Sequence, residues 1–495
     1  MRGSSHLRTS VAILVRCSAN VYKSKGIIVE KTPLSLSSIE HSDPPLSPNP
    51  LALATKQDVL TELPLVKAVA RLAWPAMASM LLLNIFQLVD AFWVGRLGTG
   101  SLGGMSASAF FVWCLNSIGM LAGTGVTALV ARRVGERDLA RAAVVGGHGL
   151  LLALTLGLVT LLIVLPFSGT LLGLLGLDAP VKAAANAYLT PFLFGMPVIT
   201  CLYAIEALFR GSGDTKTPMW ILGGTLLFNA ALDPLMIFGL GPFPAMGIAG
   251  AAWATIIAHA CGLGIALGLL RKRAVRPRLG TFDSKLVGSL IKIGAPIAAG
   301  NFLFCVIYIF LTPIIAAHGS AAVAAIGVGH RIEGLAYFAC VGFASAAATL
   351  VGQHLGANQP DKAERAAWLS ALCAGGLVLA FSAIYFTLAA PIFGIFADDA
   401  AVVSTGSSYL RIIALFETAM ALEVVLEGAF SGAGNSLPPM LISAPLTALR
   451  IPVAFYLGKR YGVDAIWWVI SVSTLLKGLT MATWFRLGRW KRTTI

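Results

Sequence analysis

Twelve long apolar runs, separated by short polar segments, dominate the sequence from residue 72 to residue 486. Each run is long enough to cross the hydrocarbon core of a bilayer, about 30 Å thick, as an α-helix. Only 12% of the residues are charged, whereas a soluble domain carries about 25%. The predicted fold class is therefore all-α integral membrane. The runs span residues 72–94, 104–130, 143–166, 183–208, 218–240, 247–270, 286–316, 325–351, 366–390, 405–430, 437–457 and 463–486.

The basic residues between the runs predict the orientation in the membrane. If the N-terminus faces the cytoplasm, most Lys and Arg residues of these segments lie on that side. The other side then holds only Arg96, Lys182, Lys459 and Arg460. Membrane proteins show this bias toward the cytoplasm, so both termini are expected there. The formal charge of +14 therefore reflects orientation in a lipid bilayer, and we expect no nucleic-acid partner.

The sequence divides into two lobes flanked by polar tails. The first tail is rich in Ser, Lys and Arg and lacks an acidic residue before Glu30, which is typical of disorder or of an organellar transit peptide. We expect a bacterial-type inner membrane, with the plastid envelope as the alternative. The predicted parts are a tail at 1–62, an N-lobe of six helices at 63–270, a basic cytoplasmic linker at 271–285, a C-lobe of six helices at 286–486 and a tail at 487–495.

The two lobes are repeats of one another at a shift of 221 residues. Trp74-Pro75 aligns with Ala295-Pro296, and EALFRGSGDTKTPM from residue 206 aligns with EGAFSGAGNSLPPM from residue 427. Because each repeat has an even number of helices, both enter the membrane in the same orientation and face each other across a cleft. This arrangement predicts an alternating-access transporter.

Two acidic residues of the N-lobe have no acidic counterpart in the repeat. Asp90 lies in the first run, where a carboxylate costs about 2.5–3.5 kcal/mol to insert. Asp233 lies in the fifth run, and Asn229 precedes it by one helical turn on the same face. The repeat mates of the two aspartates are Leu311 and Ala454, so the shared fold does not require either carboxylate.

We predict that Asp90 and Asp233 form a proton site, because burial and mutual repulsion of two carboxylates favour uptake of a proton. Asn84 lies about two turns and Gln87 about one turn before Asp90. The two amides extend a polar stripe along which substrate or water lies. Alternatively, these amides only bond neighbouring helices, and each aspartate lies at a helix end near the membrane interface. Thr255 in the sixth run is a further polar candidate.

The C-lobe contributes Glu417 and Glu423 of the tenth run, which we assign to cation or substrate binding in the cavity. A carrier of organic anions needs basic groups in its cavity, and the predicted helices show almost none. We therefore expect drug-like, amphipathic or cationic cargo, with an organic acid as the alternative.

No sequence motif predicts catalysis, a cofactor or a metal. HExxH, a Walker-type GxxxxGK[ST] and metal-spaced Cys or His residues are absent from the sequence. Residues 211–214 (GSGD) fit the GxGD signature of intramembrane aspartyl proteases. The repeat mate is GAGN at 432–435, and Pro follows in both halves, which favours a turn over a catalytic loop. We expect a transporter and not an enzyme, with the protease as the alternative class.

Five motifs in order resemble the multidrug and toxic compound extrusion (MATE) family. They are LVDAFWVGRLG (88–98), ALVARRVGERD (128–138), LFRGSGDTKTP (208–218), NAALDPLMIFGLG (229–241) and GIAGAAWATIIA (247–258). The resemblance implies twelve helices in two six-helix bundles, arranged as a V. It also implies export of a small organic compound, drug-like, amphipathic or cationic, in exchange for H+ or Na+. The alternative within the family is efflux of an organic acid or metabolite, and we expect a monomer.

The chain is similar to the DinF-like branch of that family. This similarity implies a cation site made by Asp90, Asn229 and Asp233, with Thr255 as a contact from the sixth helix. Other branches place a Glu on the seventh helix and an Asp on the tenth. Phe304 and Met420 are the aligned residues here, which argues against that second site, although Glu417 and Glu423 lie about one turn from Met420.

Overall fold

The computed structural model describes residues 60–173 and 178–493, and these residues form helices and turns without a strand. The predicted N-terminal tail lies almost wholly outside them, although its last residues form the short 3-10 helix Leu60–Glu62. Two further short helices are Ser168–Gly173 and Ala389–Gly394. The long helices of the first lobe are α1 (Leu65–Gly95), α2 (Thr99–Gly135), α3 (Leu139–Val164), α4 (Ala179–Gly211), α5 (Lys216–Phe238) and α6 (Ile248–Leu270).

The second lobe contains the other six predicted runs, two of them interrupted. Eleven helical stretches of the described chain are long and apolar enough to span a membrane. The helices of this lobe are α7 (Ser284–Ala316), α8 (Ser320–Gly356), α9 (Pro360–Thr387), α10 (Ala400–Ala414), α11 (Glu417–Gly432), α12 (Leu437–Ala448), α13 (Arg450–Tyr461) and α14 (Val463–Arg486).

The tenth run was predicted as a continuous helix, and this is wrong, whereas the eleventh spans Leu437–Tyr461 as one stretch with an interruption at a single residue. The eleventh breaks at Leu449, because Pro452 supplies no N–H to the Ala448 carbonyl and its ring crowds that turn. The tenth breaks at Leu415 and Phe416, where no proline is present. α11 begins at the break with Glu417, whose acidic side chain suits a helix N-terminus.

The repeat is visible in the backbone as well as in the sequence. Gly98 and Gly319 are repeat mates and have φ of 107° and 103°. Arg137 and Asn358, also mates, both adopt the left-handed region, with φ of 61° and 56°. Residues with a side chain rarely adopt positive φ. The agreement therefore shows that the two lobes turn between corresponding helices in the same way.

The described contacts between the lobes include hydrogen bonds between the C-terminal ends of α4 and α8. Gln353 Nε2 donates to the Gly211 carbonyl at 3.0 Å, and Thr349 Oγ1 donates to the Arg210 carbonyl at 3.0 Å. These four residues precede turns that are cytoplasmic in the predicted orientation. The structure therefore shows the two lobes in contact at this end of the helices.

Helices α2 and α7 form a second contact between the lobes. A Cβ on Gly294 would overlap the Leu121 carbonyl, so glycine is required for this close approach. Further along the helices, the thiols of Cys114 and Cys305 lie within hydrogen-bond reach, and the rings of Trp113 and Phe304 are 6.3 Å apart. The approach is therefore tightest toward the cytoplasmic half of α7.

The predicted C-terminal tail is docked against α9 and α14. Trp490 is buried, stacks on Phe485 at 4.4 Å between ring centroids, and donates from Nε1 to the Phe485 carbonyl at 2.8 Å. Lys491 pairs with Glu364 at 2.7 Å and Asp361 at 3.2 Å. The hydrogen bond to Glu364 holds the pKa of Lys491 above its usual range, so the ammonium of Lys491 stays charged at neutral pH.

Replacing Trp490 with Ala is expected to lower the free energy of unfolding by about 3 kcal/mol, because a buried indole leaves a cavity when removed. The measurement is thermal or denaturant unfolding of the purified chain in detergent. Trp220→Ala is the matched control, since that indole is 73% exposed. Equal stability loss in the two variants would contradict the docking of the tail.

Candidate functional site

Helices α1, α5 and α6 bring four of the predicted site residues into one buried group. Asp90 comes from α1, Asn229 and Asp233 from α5, and Thr255 from α6, and all four are buried. Residues 229 and 233 share a face because they are one helical turn apart. Pro234 follows directly and lies inside α5, so the Ala230 carbonyl lacks its usual N–H donor beside the carboxylate.

Hydrogen bonds link the four side chains. Asn229 Nδ2 donates to Asp233 Oδ1 at 3.1 Å, and the same amide lies 3.5 Å from Thr255 Oγ1. Thr255 Oγ1 is 3.3 Å from Asp90 Oδ2 and 3.0 Å from the Ala251 carbonyl. A hydroxyl has one proton, so Thr255 donates to only one of these two acceptors at a time.

Three oxygens of this group lack a hydrogen-bond partner: Asp90 Oδ1, Asn229 Oδ1 and Asp233 Oδ2. The carboxyl groups of Asp90 and Asp233 also lie within hydrogen-bond reach of each other. Two carboxylates can share such a bond only when one of them carries a proton. The group therefore has the geometry of a site that takes up a cation, either a proton or a small ion held by oxygen ligands.

Tyr188 is a neighbour of the site that sequence reasoning missed. It lies on α4, is buried, and interacts electrostatically with both Asp90 and Asp233. A single Tyr in an apolar run forms no pattern, so no sequence signal distinguished it from a packing residue. The structure thus adds a fourth helix to the surroundings of the carboxyl pair.

The predicted polar stripe of α1 is only partly buried with the site. Gln87 is exposed and Asn84 is half-buried, and neither belongs to the hydrogen-bonded group. Phe86, between them in the sequence, is buried against the His259 ring at 5.5 Å. The two amides therefore lie beside the carboxyl pair rather than within it, and their role toward substrate remains a prediction.

The two glutamates assigned to the C-lobe cavity have different surroundings. Glu423 pairs with Lys477 of α14 at 2.8 Å and accepts a hydrogen bond from Ser443 at 3.0 Å. Glu417 is 1% exposed, and neither of its carboxyl oxygens has a partner. Glu423 is thus committed to an ion pair, while Glu417 is enclosed at the start of α11. Their assignment to substrate also remains a prediction.

The expectation that the helices contain almost no basic groups is wrong for the C-lobe. Arg450 of α13 and Lys477 of α14 are both buried, at 3% and 6% exposure. Single basic residues are easily overlooked in apolar runs. The repeat offered a signal, because Arg450 is the mate of Asn229 and so stands where the other lobe has a site residue.

The GSGD segment forms a turn, as the repeat predicted. Gly213 has φ of 90°, and Asp214 accepts from the Thr217 amide at 3.0 Å. Asp214 also pairs with Arg273 of the basic linker at 2.9 Å. Its carboxylate is therefore occupied at the cytoplasmic end of α5 and does not join the carboxyl pair of Asp90 and Asp233.

Comparison with known sequences decides the family. The sequence profile described as MatE matches this chain twice, at residues 75–235 and 296–456. The chain belongs to the MatE family. The two matched regions are the two repeats, so this multi-pass membrane protein has the duplicated architecture of MATE transporters, as its sequence predicted.

Several curated relatives resemble this MatE chain over most of their length. The probable multidrug resistance protein NorM of Thermotoga maritima is 28% identical, over 86% of this chain and 93% of the relative. The FAD transporter of Shewanella oneidensis is 25% identical, over 85% and 94%. The multidrug export protein MepA of Staphylococcus aureus is 22% identical, over 84% and 92%.

Solved structures share the fold. A MOP superfamily transporter from Pyrococcus furiosus superposes with a TM-score of 0.82 at 23% identity, covering 88% of this chain and 98% of that one. A MATE transporter solved in complex with MaL6 gives a TM-score of 0.82 at 24% identity, covering 88% and 99%. At this identity the likeness shows the twelve-helix fold alone.

Proposed function

We propose that this MatE protein is a secondary active antiporter that exports organic, drug-like compounds in exchange for protons. The observation that carries the proposal is the buried pair of Asp90 and Asp233, in which one oxygen of each carboxyl group lacks a hydrogen-bond donor, as does the neighbouring Asn229 Oδ1. Its matching positions in the other lobe are apolar, so the pair is an addition to the shared fold. A costly group that the fold does not require is best explained by a role in energy coupling.

Coupling follows from the helices that carry the pair. One proton between Asp90 and Asp233 allows α1 and α5 to approach, whereas two unprotonated carboxylates repel each other at low dielectric. α1 also packs against α8 of the other lobe, since Leu72 and Ala73 share an apolar cluster with Ala346 and Leu350. Proton binding therefore affects the position of α1, which contacts both lobes. Coupling requires only that the proton and the cargo bind the two conformations with different affinities.

Sodium is the alternative coupling ion. Carboxylate, amide and hydroxyl oxygens also suit a hard cation, and Asn229 Oδ1 and Thr255 Oγ1 are available beside the carboxyl pair. We favour the proton because the two carboxyl groups lie within hydrogen-bond reach of each other. This arrangement resembles the site of the DinF-like branch, to which we assign the chain.

The relatives support an organic cargo. Two of them are named as multidrug proteins, and a third is named as a FAD transporter, which favours metabolite efflux as the second candidate function. We propose a monomer in a bacterial-type inner membrane, with the plastid envelope as the alternative. The protease alternative has no support in the geometry, because Asp214 is bonded in a turn.

The test is transport into proteoliposomes whose cytoplasmic transporter face points outward. A vesicle interior made acidic is expected to drive accumulation of a cationic dye, ethidium, or of an aromatic acid, 2-naphthoate, and a proton ionophore should abolish it. An inward-directed or outward-directed Na+ gradient alone should have no effect. If neither gradient changes the transport of either probe, the antiport mechanism is contradicted. If transport depends on the Na+ gradient alone, Na+ and not the proton is the coupling ion.

A further inference from the structure

Arg450 occupies the C-lobe position that corresponds to the carboxyl site of the N-lobe. It is the repeat mate of Asn229, and its bonding partner Tyr308 is the mate of Gln87. The mates of the two aspartates, Leu311 and Ala454, are apolar and fully buried. At equivalent places, one lobe therefore presents carboxylates and the other presents a fixed cation.

The guanidinium of Arg450 is held by neutral groups. Nε donates to Ser473 Oγ at 2.7 Å, Nη1 to the Tyr308 hydroxyl at 3.1 Å, and Nη2 to Thr474 Oγ1 at 2.9 Å. Nη2 is also 3.3 Å from the Ile470 carbonyl. Nη1 has two N–H groups and makes one described bond, so one donor of a buried cation remains free for a ligand.

No carboxylate among the described ion pairs neutralises Arg450. Glu423 is held by Lys477 at 2.8 Å, and Glu333 accepts a hydrogen bond from Tyr409 at 2.8 Å. A buried charge without a counterion is unfavourable, and guanidinium binds carboxylates strongly through charge-assisted hydrogen bonds. An anion is therefore the ligand that this position would bind best.

A row of aromatic rings leads from Trp113 of the N-lobe to Arg450. Trp113 of the N-lobe is 53% exposed and lies 6.3 Å from Phe304, whose ring is 4.5 Å from that of Tyr308. Tyr308 and Thr474, which contact the guanidinium, are only half-buried, so this side of Arg450 is the less enclosed one. Flat rings favour a flat aromatic ligand beside them.

We propose that Arg450 binds the acidic group of the transported compound, an aromatic carboxylic acid whose ring packs against Phe304 and Tyr308. This assignment rests on the proposed export of organic compounds and makes the cargo an organic anion. The carboxylate of the ligand accepts a hydrogen bond from Nη1 of Arg450. The Tyr308 hydroxyl donates a second hydrogen bond to this carboxylate after the hydroxyl turns away from the guanidinium.

The experiment is equilibrium binding of 2-naphthoate and of its neutral amide, 2-naphthamide, to the purified full chain in detergent, without any ion gradient. The wild type should bind naphthoate at least about tenfold more tightly than naphthamide. Arg450→Gln should lower naphthoate affinity about tenfold or more and leave naphthamide unchanged, and Arg450→Lys should restore part of it. Arg411→Gln, at an exposed position of α10, is the matched control.

Equal affinity of the wild type for both probes would overturn the proposal, and so would unchanged naphthoate affinity in Arg450→Gln. If Arg450→Gln does not fold, the wild-type comparison still decides the preference for charge. Phe304→Ala then tests the ring contact, because it should lower the affinity for naphthoate and for naphthamide equally. Unchanged affinity for both probes would overturn the placement of the ligand ring against Phe304. Binding is measured without a gradient, so a failure of antiport and a failure of this site give different results.

Discussion

Asp90→Asn and Asp233→Asn are each expected to reduce proton-driven transport by at least about tenfold, the largest effect we expect from any single substitution. Each amide has nearly the shape of the carboxyl group it replaces but cannot take up a proton at neutral pH. The remaining aspartate then lacks the partner with which it shares that proton. Folding should be unchanged or improved, since the substitution replaces a buried ionisable group by a neutral group of similar shape.

The measurement is accumulation of the transported probe in proteoliposomes with an acidic interior, for each variant beside the wild type. Asp178→Asn is the matched control, because it makes the same chemical change at an exposed position before α4. Thermal unfolding of each variant confirms that the fold is retained. Normal proton-driven transport by both aspartate variants would show that the coupling site lies elsewhere.

Gly294→Ala is expected to shift the protein away from the conformation in which α2 and α7 approach closely. The added methyl group would overlap the backbone carbonyl of Leu121 on α2, which no rotamer change relieves. Overpacking of this kind costs about 1–3 kcal/mol, which changes the ratio of two conformations by about 5- to 150-fold. Transport should fall, because the cycle depends on visiting both conformations.

The native cysteines provide the readout for this shift. Cys114 and Cys305 lie in contact across the two lobes, so mild oxidation should join them in the wild type. Gly294→Ala should lower the yield of that cross-link, measured by mass spectrometry of digested protein. Gly300→Ala is the control on the same helix, since a Cβ there meets nothing within 4 Å. An equal yield in the two variants would contradict the role of the glycine contact.

Much of the fold could be predicted because each lobe obeys two simple rules. Bilayer thickness fixes the length of each apolar run, and the shift of 221 residues defines the lobes without any knowledge of packing. The breaks at residues 415 and 449 were missed. An interrupted run has the same apolar composition as a continuous helix. Only the backbone geometry shows where the helical hydrogen bonds are interrupted.

Part of the site was also accessible from sequence. Asp90 and Asp233 stood out because a carboxylate is costly in an apolar run and because their repeat mates are Leu311 and Ala454. The same comparison would have found Arg450, had basic residues been compared with their mates as acidic residues were. Tyr188 could not be found this way, since its closeness to the pair depends on how α4 packs.

The sequence by itself determined that this chain spans a membrane as two repeats and which of its charges are asymmetric between them. Those properties follow from local composition and register, which do not depend on the arrangement of helices. Tertiary structure alone decided that Asp90 and Asp233 share one buried group, that Glu423 pairs with Lys477, and that the described hydrogen bonds of Arg450 go to neutral groups. Pairing depends on distances between helices that are far apart in the chain, and packing sets those distances.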